Sequence, residues 1–142
     1  MDVESAQRRV RVERLGPARF EVLNDRGGRV TLGNGESTHL TPIEMLLGAI
    51  GACSAMDVEP VTSRRAEPDT FTVEVTGSKI RDVDGNQLDD IRVVFHARFP
   101  DGDDGDEARQ VLPKIVQRAH DQLCTVSRTV ELGSPVTMTI AG

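Results

Sequence analysis

The chain has no tryptophan, no tyrosine and four phenylalanines in 142 residues, which excludes a core built on large aromatic rings and leaves an aliphatic one. Cysteine is nearly as scarce. Cys53 and Cys124 are its two cysteines, too few for a disulfide scaffold, so in a reducing compartment they are either inert packing or redox chemistry. No apolar run approaches the roughly 20 residues that cross a bilayer. The amino end, MDVESAQRRVRVERL, lacks the apolar block of a signal peptide, and a cytoplasmic protein with no membrane partner is expected. Positive charge is in deficit. A formal net charge of -6 argues against sequence-independent nucleic-acid binding, which draws its affinity from Lys and Arg on phosphate, so no nucleic-acid partner is expected.

What is present is an ordinary globular balance, 37% apolar and 28% charged residues, with length for one domain over residues 1–142 that buries about two thirds of its unfolded surface. The most distinctive stretch is TPIEMLLGAIGACSAM, residues 41–56. Thr41 stands three residues before Glu44, a capping box, and Pro42 takes the first helical position, where a missing N–H costs nothing. Ile43, Met45, Leu46, Leu47, Ile50 and Met56 leave no polar face, which predicts a buried helix. Gly48, Ala49, Gly51, Ala52, Ser54 and Ala55 make it smooth enough for close backbone approach, with Cys53 among them.

Period-two alternation predicts three short strands before this helix, in RVRVERL, ARFEVLN and around Val30 and Leu32, with breaks at Gly16-Pro17 and residues 24–28. The helix is expected to run to about Arg65, with Pro60 kinking it near Met56. A hairpin follows, TFTVEVTG and DIRVVFHARF turning at Asp84-Gly85-Asn86. The acidic run PDGDDGDE, residues 100–107, lacks calcium-loop spacing and reads as a solvated lead-in to a helix. From Ala108 a helical stripe, Val111, Leu112, Ile115, Val116, Ala119 and Leu123, is interrupted by Pro113. Val136, Met138 and Ile140 alternate in a last strand. The order βββ-α-ββ-α-β predicts an α+β fold with antiparallel sheets and helices against them. A helix apolar on every side in so short a chain predicts that a second copy covers it, an obligate homodimer.

With TPIEMLLGAIGAC and QLCTVSRTVE in place, the chain resembles the osmotically inducible protein C and organic hydroperoxide resistance (OsmC/Ohr) family, closest to its OsmC-like branch. The resemblance covers about residues 8 to 141. It implies an intertwined homodimer with two long central helices, and a thiol-dependent peroxidase for organic hydroperoxides. Cys53 matches the family's peroxidatic cysteine and Cys124 the one that forms a disulfide with its sulfenic acid. An external dithiol reductant recycles the pair, and no cofactor or metal is implied. The family's activating arginine comes from the N-terminal strands, where Arg19 is the positional candidate and Arg14 and Arg11 compete. Its partner glutamate belongs directly after the proline, but Ile43 stands there and Glu44 comes one position late.

A thiol needs a positive neighbour to ionise near neutral pH. Nine residues at about 100° each put Glu44 on the far side of the helix from Cys53, so Glu44 serves either the cap at Thr41 or catalysis. Asp57, four residues after Cys53, shares its face and opposes ionisation unless an arginine neutralises it. Leu47, Ile50, Leu123 and Val126 are candidates for an apolar pocket. His39, His96 and His120 have no ligand-like spacing, and His120 is a candidate proton donor. The alternative is a non-catalytic dimer that binds a small apolar or thiol-bearing ligand at its interface.

Overall fold

The computed structural model describes residues 6–142, which fall into two compact units, Met1–Leu46 and Leu47–Gly142, with one long helix starting in the first and running into the second. The fold is α+β with antiparallel sheets. In the first unit β1 (Arg11–Gly16), β2 (Arg19–Leu23) and β3 (Arg29–Leu32) form a meander. Val12 pairs with Val22 and Val22 with Val30, the register that the alternation predicts. The β2–β3 turn is held by Asn24, whose Oδ1 accepts from the N–H of Arg26 at 3.0 Å and of Gly28 at 2.8 Å. Gly27 there takes φ 93°, a conformation side chains resist. Val12 and Leu15 stay exposed on this sheet.

Helix α1 (Pro42–Ser63) starts on the expected capping box. The Thr41 N–H donates to Glu44 Oε1 at 2.9 Å and the Glu44 N–H donates to Thr41 Oγ1 at 3.2 Å, so two end donors are satisfied reciprocally. Pro60 lies inside the helix rather than ending it. Strands β4 (Thr70–Asp82) and β5 (Gly85–Arg98) form a long antiparallel hairpin, pairing Val73 with Phe95 and Val75 with Val93. A register shift between Thr76 and Ser78 adjusts it. Phe71 and Phe95 meet edge to face, centroids 6.1 Å apart.

α1 packs directly on β4. A Cβ added to Gly51 would lie 2.6 Å from Val75 Cγ2, so glycine is required by contact, not by φ. The core of the second unit gathers Val58 from α1, Ile115 and Ala119 beyond the hairpin, with Phe71, Phe95 and Leu112 against them. A neighbouring cluster joins Ala66, Phe99 and Ala108. Helix α2 (Asp103–Arg118) begins within the acidic run itself, placing Asp103, Asp104 and Asp106 in its first turn, where the helix dipole favours negative charge. Pro113 is accommodated inside it.

Beyond α2 the structure departs from expectation. The chain widens into one π-helical turn (Ala119–Leu123), closed by the Cys124 N–H donating to Ala119 O at 2.9 Å. A further helix, α3 (Thr125–Leu132), then runs to Gly133, which ends it in the left-handed conformation with φ 69°. Val126 and Val130, one turn apart, give α3 its apolar stripe, a signal too short to read as a helix beforehand. The expected last strand does not form among the described residues. Val136, Met138 and Ile140 are 80%, 90% and 100% exposed, because an alternating strand gains nothing without an edge to pair with.

Replacing Gly51 with alanine is expected to destabilise the protein by about 1–3 kcal/mol through overpacking, although alanine is the better helix former. Adding Val75→Ala is expected to recover part of the loss. Denaturant unfolding of the two single variants and the double variant measures the coupling.

Candidate functional site

α1 carries Cys53 and Asp57 four residues apart on one face, and the turn into α3 brings Cys124 to them. The two sulfurs and a carboxylate oxygen of Asp57 all lie within 4.8 Å of one another. Both cysteines are free thiols, Cys53 half-buried and Cys124 fully buried. Seventy-one positions separate the cysteines in sequence, and the buried cluster of Val58, Ile115 and Ala119 joins α1 to the end of α2.

The sulfurs have different surroundings. Cys124 is the N-cap of α3, its Sγ accepting from the Ser127 N–H at 3.4 Å. Ser54, one residue after Cys53, sends its Oγ to the same sulfur at 3.3 Å and to Ile50 O at 2.9 Å. Burial pushes the Cys53 thiol above its ordinary value. The Val126 backbone N–H opposes that rise, whereas Cys124 and the Asp57 carboxylate reinforce it. In the first turn of α3 the Ser127 N–H thus donates to Cys124, and the backbone of neighbouring Val126 favours the anionic form of Cys53. Asp57 Oδ2 is buried and has no hydrogen-bond partner among the described residues.

A cleft of about 690 Å³ opens beside this cluster. Ile50, Val93, Phe95 and Val116 give it an apolar floor, while Ser54 and Ser127, the two donors to Cys124, belong to its wall. Of the four pocket residues expected from sequence, only Ile50 lines it, and Cys53 does not. His120 stands at the cleft with its Nδ1 2.8 Å from Asp121 Oδ1 and its Nε2 3.5 Å from Glu131 Oε2. The bond to Asp121 raises the His120 pKa and lowers that of Asp121.

Glu44 sits in the capping box, its carboxylate bonded to Thr41. Arg19 opens β2 in the first unit with its side chain exposed. The sequence did not reveal Ser54 and Ser127 as sulfur donors. The signal for Ser127 was the Cys-x-x-Ser pattern, legible as a cap only once a thiol is admitted among capping groups.

A family model described as OsmC-like protein matches residues 33–139. An uncharacterized protein of Mycobacterium tuberculosis strain H37Rv is 30% identical over 131 residues, covering 91% of this chain and 93% of that one. Among solved structures, a hypothetical protein from Aquifex aeolicus superposes with a TM-score of 0.70 at 23% identity, over 94% of this chain and 91% of that chain. An OsmC-like protein from Mycoplasma pneumoniae gives 0.68 at 14% identity, covering 88% and 87%. The organic hydroperoxide resistance protein OhrB of Bacillus subtilis gives 0.57 at 19%, covering 87% and 90%. At these identities the structural likenesses establish the fold.

Because the folded state holds the Cys53 proton more tightly than the unfolded chain does, the stability this contributes is complete below the ordinary thiol pKa of about 8.5 and is lost as pH rises through the folded value. Asp57→Asn removes a negative neighbour and is expected to move the midpoint of Cys53 alkylation to lower pH. Iodoacetamide labelling across pH, resolved by peptide mass spectrometry, reads that midpoint; an unmoved one contradicts the electrostatic role of Asp57.

Proposed function

Given that this chain belongs to the OsmC-like protein family, we propose that it is a thiol-dependent peroxidase of oxidative-stress defence, with Cys53 as the attacking thiol and Cys124 as the resolving one. The observation that carries this reading is the meeting of two free thiols at the first turn of α3. In the first step the Cys53 thiolate attacks the distal oxygen of an organic hydroperoxide; the O–O bond breaks, an alkoxide leaves and takes a proton, and Cys53 becomes a sulfenic acid. Cys124 then attacks that sulfur, forming the S–S bond and releasing water. A dithiol reductant takes the two oxidising equivalents and returns both thiols.

Partial exposure of Cys53 supports its role as the entering point, and full burial of Cys124 supports its role as the second sulfur. Ser54 and the Ser127 N–H are suited to hold negative charge on Cys124 when it leaves during reduction. Attack by Cys53 requires a cation, since burial, Cys124 and Asp57 all hold its proton on. Arg19 is the candidate that the family resemblance supplies, and Glu44 remains its candidate partner only if it leaves the cap. The apolar floor of the cleft suits an alkyl group.

The acting form in this reading is a homodimer in the cytoplasm, with organic hydroperoxide and a dithiol as its reaction partners. Its support is the family together with the uncovered alternation of Val136, Met138 and Ile140. The second reading, a non-catalytic dimer that binds a small apolar or thiol-bearing ligand, is favoured by Ile43 at the position of the family's glutamate.

One equivalent of cumene hydroperoxide is expected to remove two free thiols per chain, with recovery by dithiothreitol. Cys53→Ser should abolish peroxide consumption, whereas Cys124→Ser should leave a sulfenic acid that dimedone traps. Unchanged consumption in Cys53→Ser overturns the proposal in favour of the second reading. Separately, light scattering after size exclusion is expected to give twice 15.5 kDa; a stable species of one chain at micromolar concentration refutes the dimer.

A further inference from the structure

We infer that, in the reduced protein, Cys53, Asp57 and Cys124 form a binding site for a thiophilic divalent cation, with Zn²⁺ as the best-matched ion. Three features meet there. Two free sulfurs and one carboxylate oxygen lie within 4.8 Å of one another, on a rigid i, i+4 pair of α1 and the cap of α3. The Asp57 Oδ2 atom is buried without a hydrogen-bond partner among the described residues, a position that costs free energy unless something satisfies it. The Ser127 N–H donates to Cys124 Sγ at 3.4 Å, as donors beyond the ligands do in thiolate metal sites.

The donor set decides the ion. Two thiolates disfavour Mg²⁺ and Ca²⁺, which take oxygen, and suit zinc, which takes sulfur at about 2.3 Å and carboxylate oxygen at about 2.0–2.2 Å. Tetrahedral ligation at those lengths places ligand atoms roughly 3.5–3.8 Å apart. Side-chain rotation of about 1 Å closes the present cluster onto such an ion. Binding releases two thiol protons and forms two Zn–S bonds and one Zn–O bond, leaving a net charge of -1 on the site and a fourth position for water. The half-buried Cys53 side provides the entry path. No histidine takes part, which is why ligand-like histidine spacing gave no sign of it. Metal binding does not require peroxide turnover, since it needs only the two reduced thiols, and their oxidation would abolish it.

Zinc titration of the reduced full-length protein against a chromophoric chelator tests this, together with Co²⁺ absorption. The expected result is one zinc per chain and thiolate-to-cobalt charge-transfer bands. Cys53→Ser should weaken binding at least about 100-fold and Asp57→Asn by about 10–100-fold, the range seen when a ligand sphere loses support. Oxidation by diamide should release the metal. Circular dichroism of Cys53→Ser and Asp57→Asn checks that both variants fold; these two are chosen because the fully buried Cys124 is the riskier substitution. Absence of zinc retention by the reduced wild type, or equal affinity in Cys53→Ser, overturns the site even if peroxidase activity is present.

Discussion

The buried cluster of Val58, Ile115 and Ala119 is the constraint on which the placement of the two sulfurs depends. Close packing admits few alternatives at such a contact, because a methyl-sized void or an extra methylene each costs of order 1 kcal/mol or more. Ala119 also opens the π-helical turn, and its carbonyl accepts the Cys124 N–H. The buried alanine therefore sets the depth and rotation of the cysteine five residues on. Ser54 of α1 donates to that cysteine's sulfur at 3.3 Å. A short-range packing event near the end of α2 is thereby converted into a sulfur placed against α1.

The site is unusual in its balance of charge. Helix N-terminal amides favour an anionic sulfur, yet burial and the Asp57 carboxylate hold the Cys53 proton on. A positive charge beside that thiol, whether from a guanidinium or from a metal ion, would favour its ionisation. The two proposals for this cluster share that electrostatic requirement and differ in what answers it. The cleft alongside joins an apolar floor to His120, whose raised pKa depends on Asp121 and Glu131 rather than on the sulfurs.

Legibility in the sequence tracked the range of the interaction. The capping box at Thr41 and Glu44, the three-strand meander, the β4–β5 hairpin and the tight glycine face of α1 depend on neighbours within a few residues or on one periodic pattern, and each was found where expected. The helix α3 after α2 had no assignment from sequence, because its helical signal spans two valines and its cap is a thiol. The terminal alternation was read as a strand from a pattern that says which residues share a face but not which edge accepts them.

By itself, the sequence determined that α1 is smooth, apolar and capped, that Cys53 and Asp57 share one of its faces, and that antiparallel strands precede and follow it along the chain. Those properties follow from period and local hydrogen bonding. Only tertiary structure decided that Cys124 reaches the same face, that Ser54 and Ser127 serve its sulfur, and that one oxygen of Asp57 is buried unsatisfied. Such proximities depend on how side-chain volumes fit between elements distant in the chain, and that fit has no signature in any window of residues short enough to read.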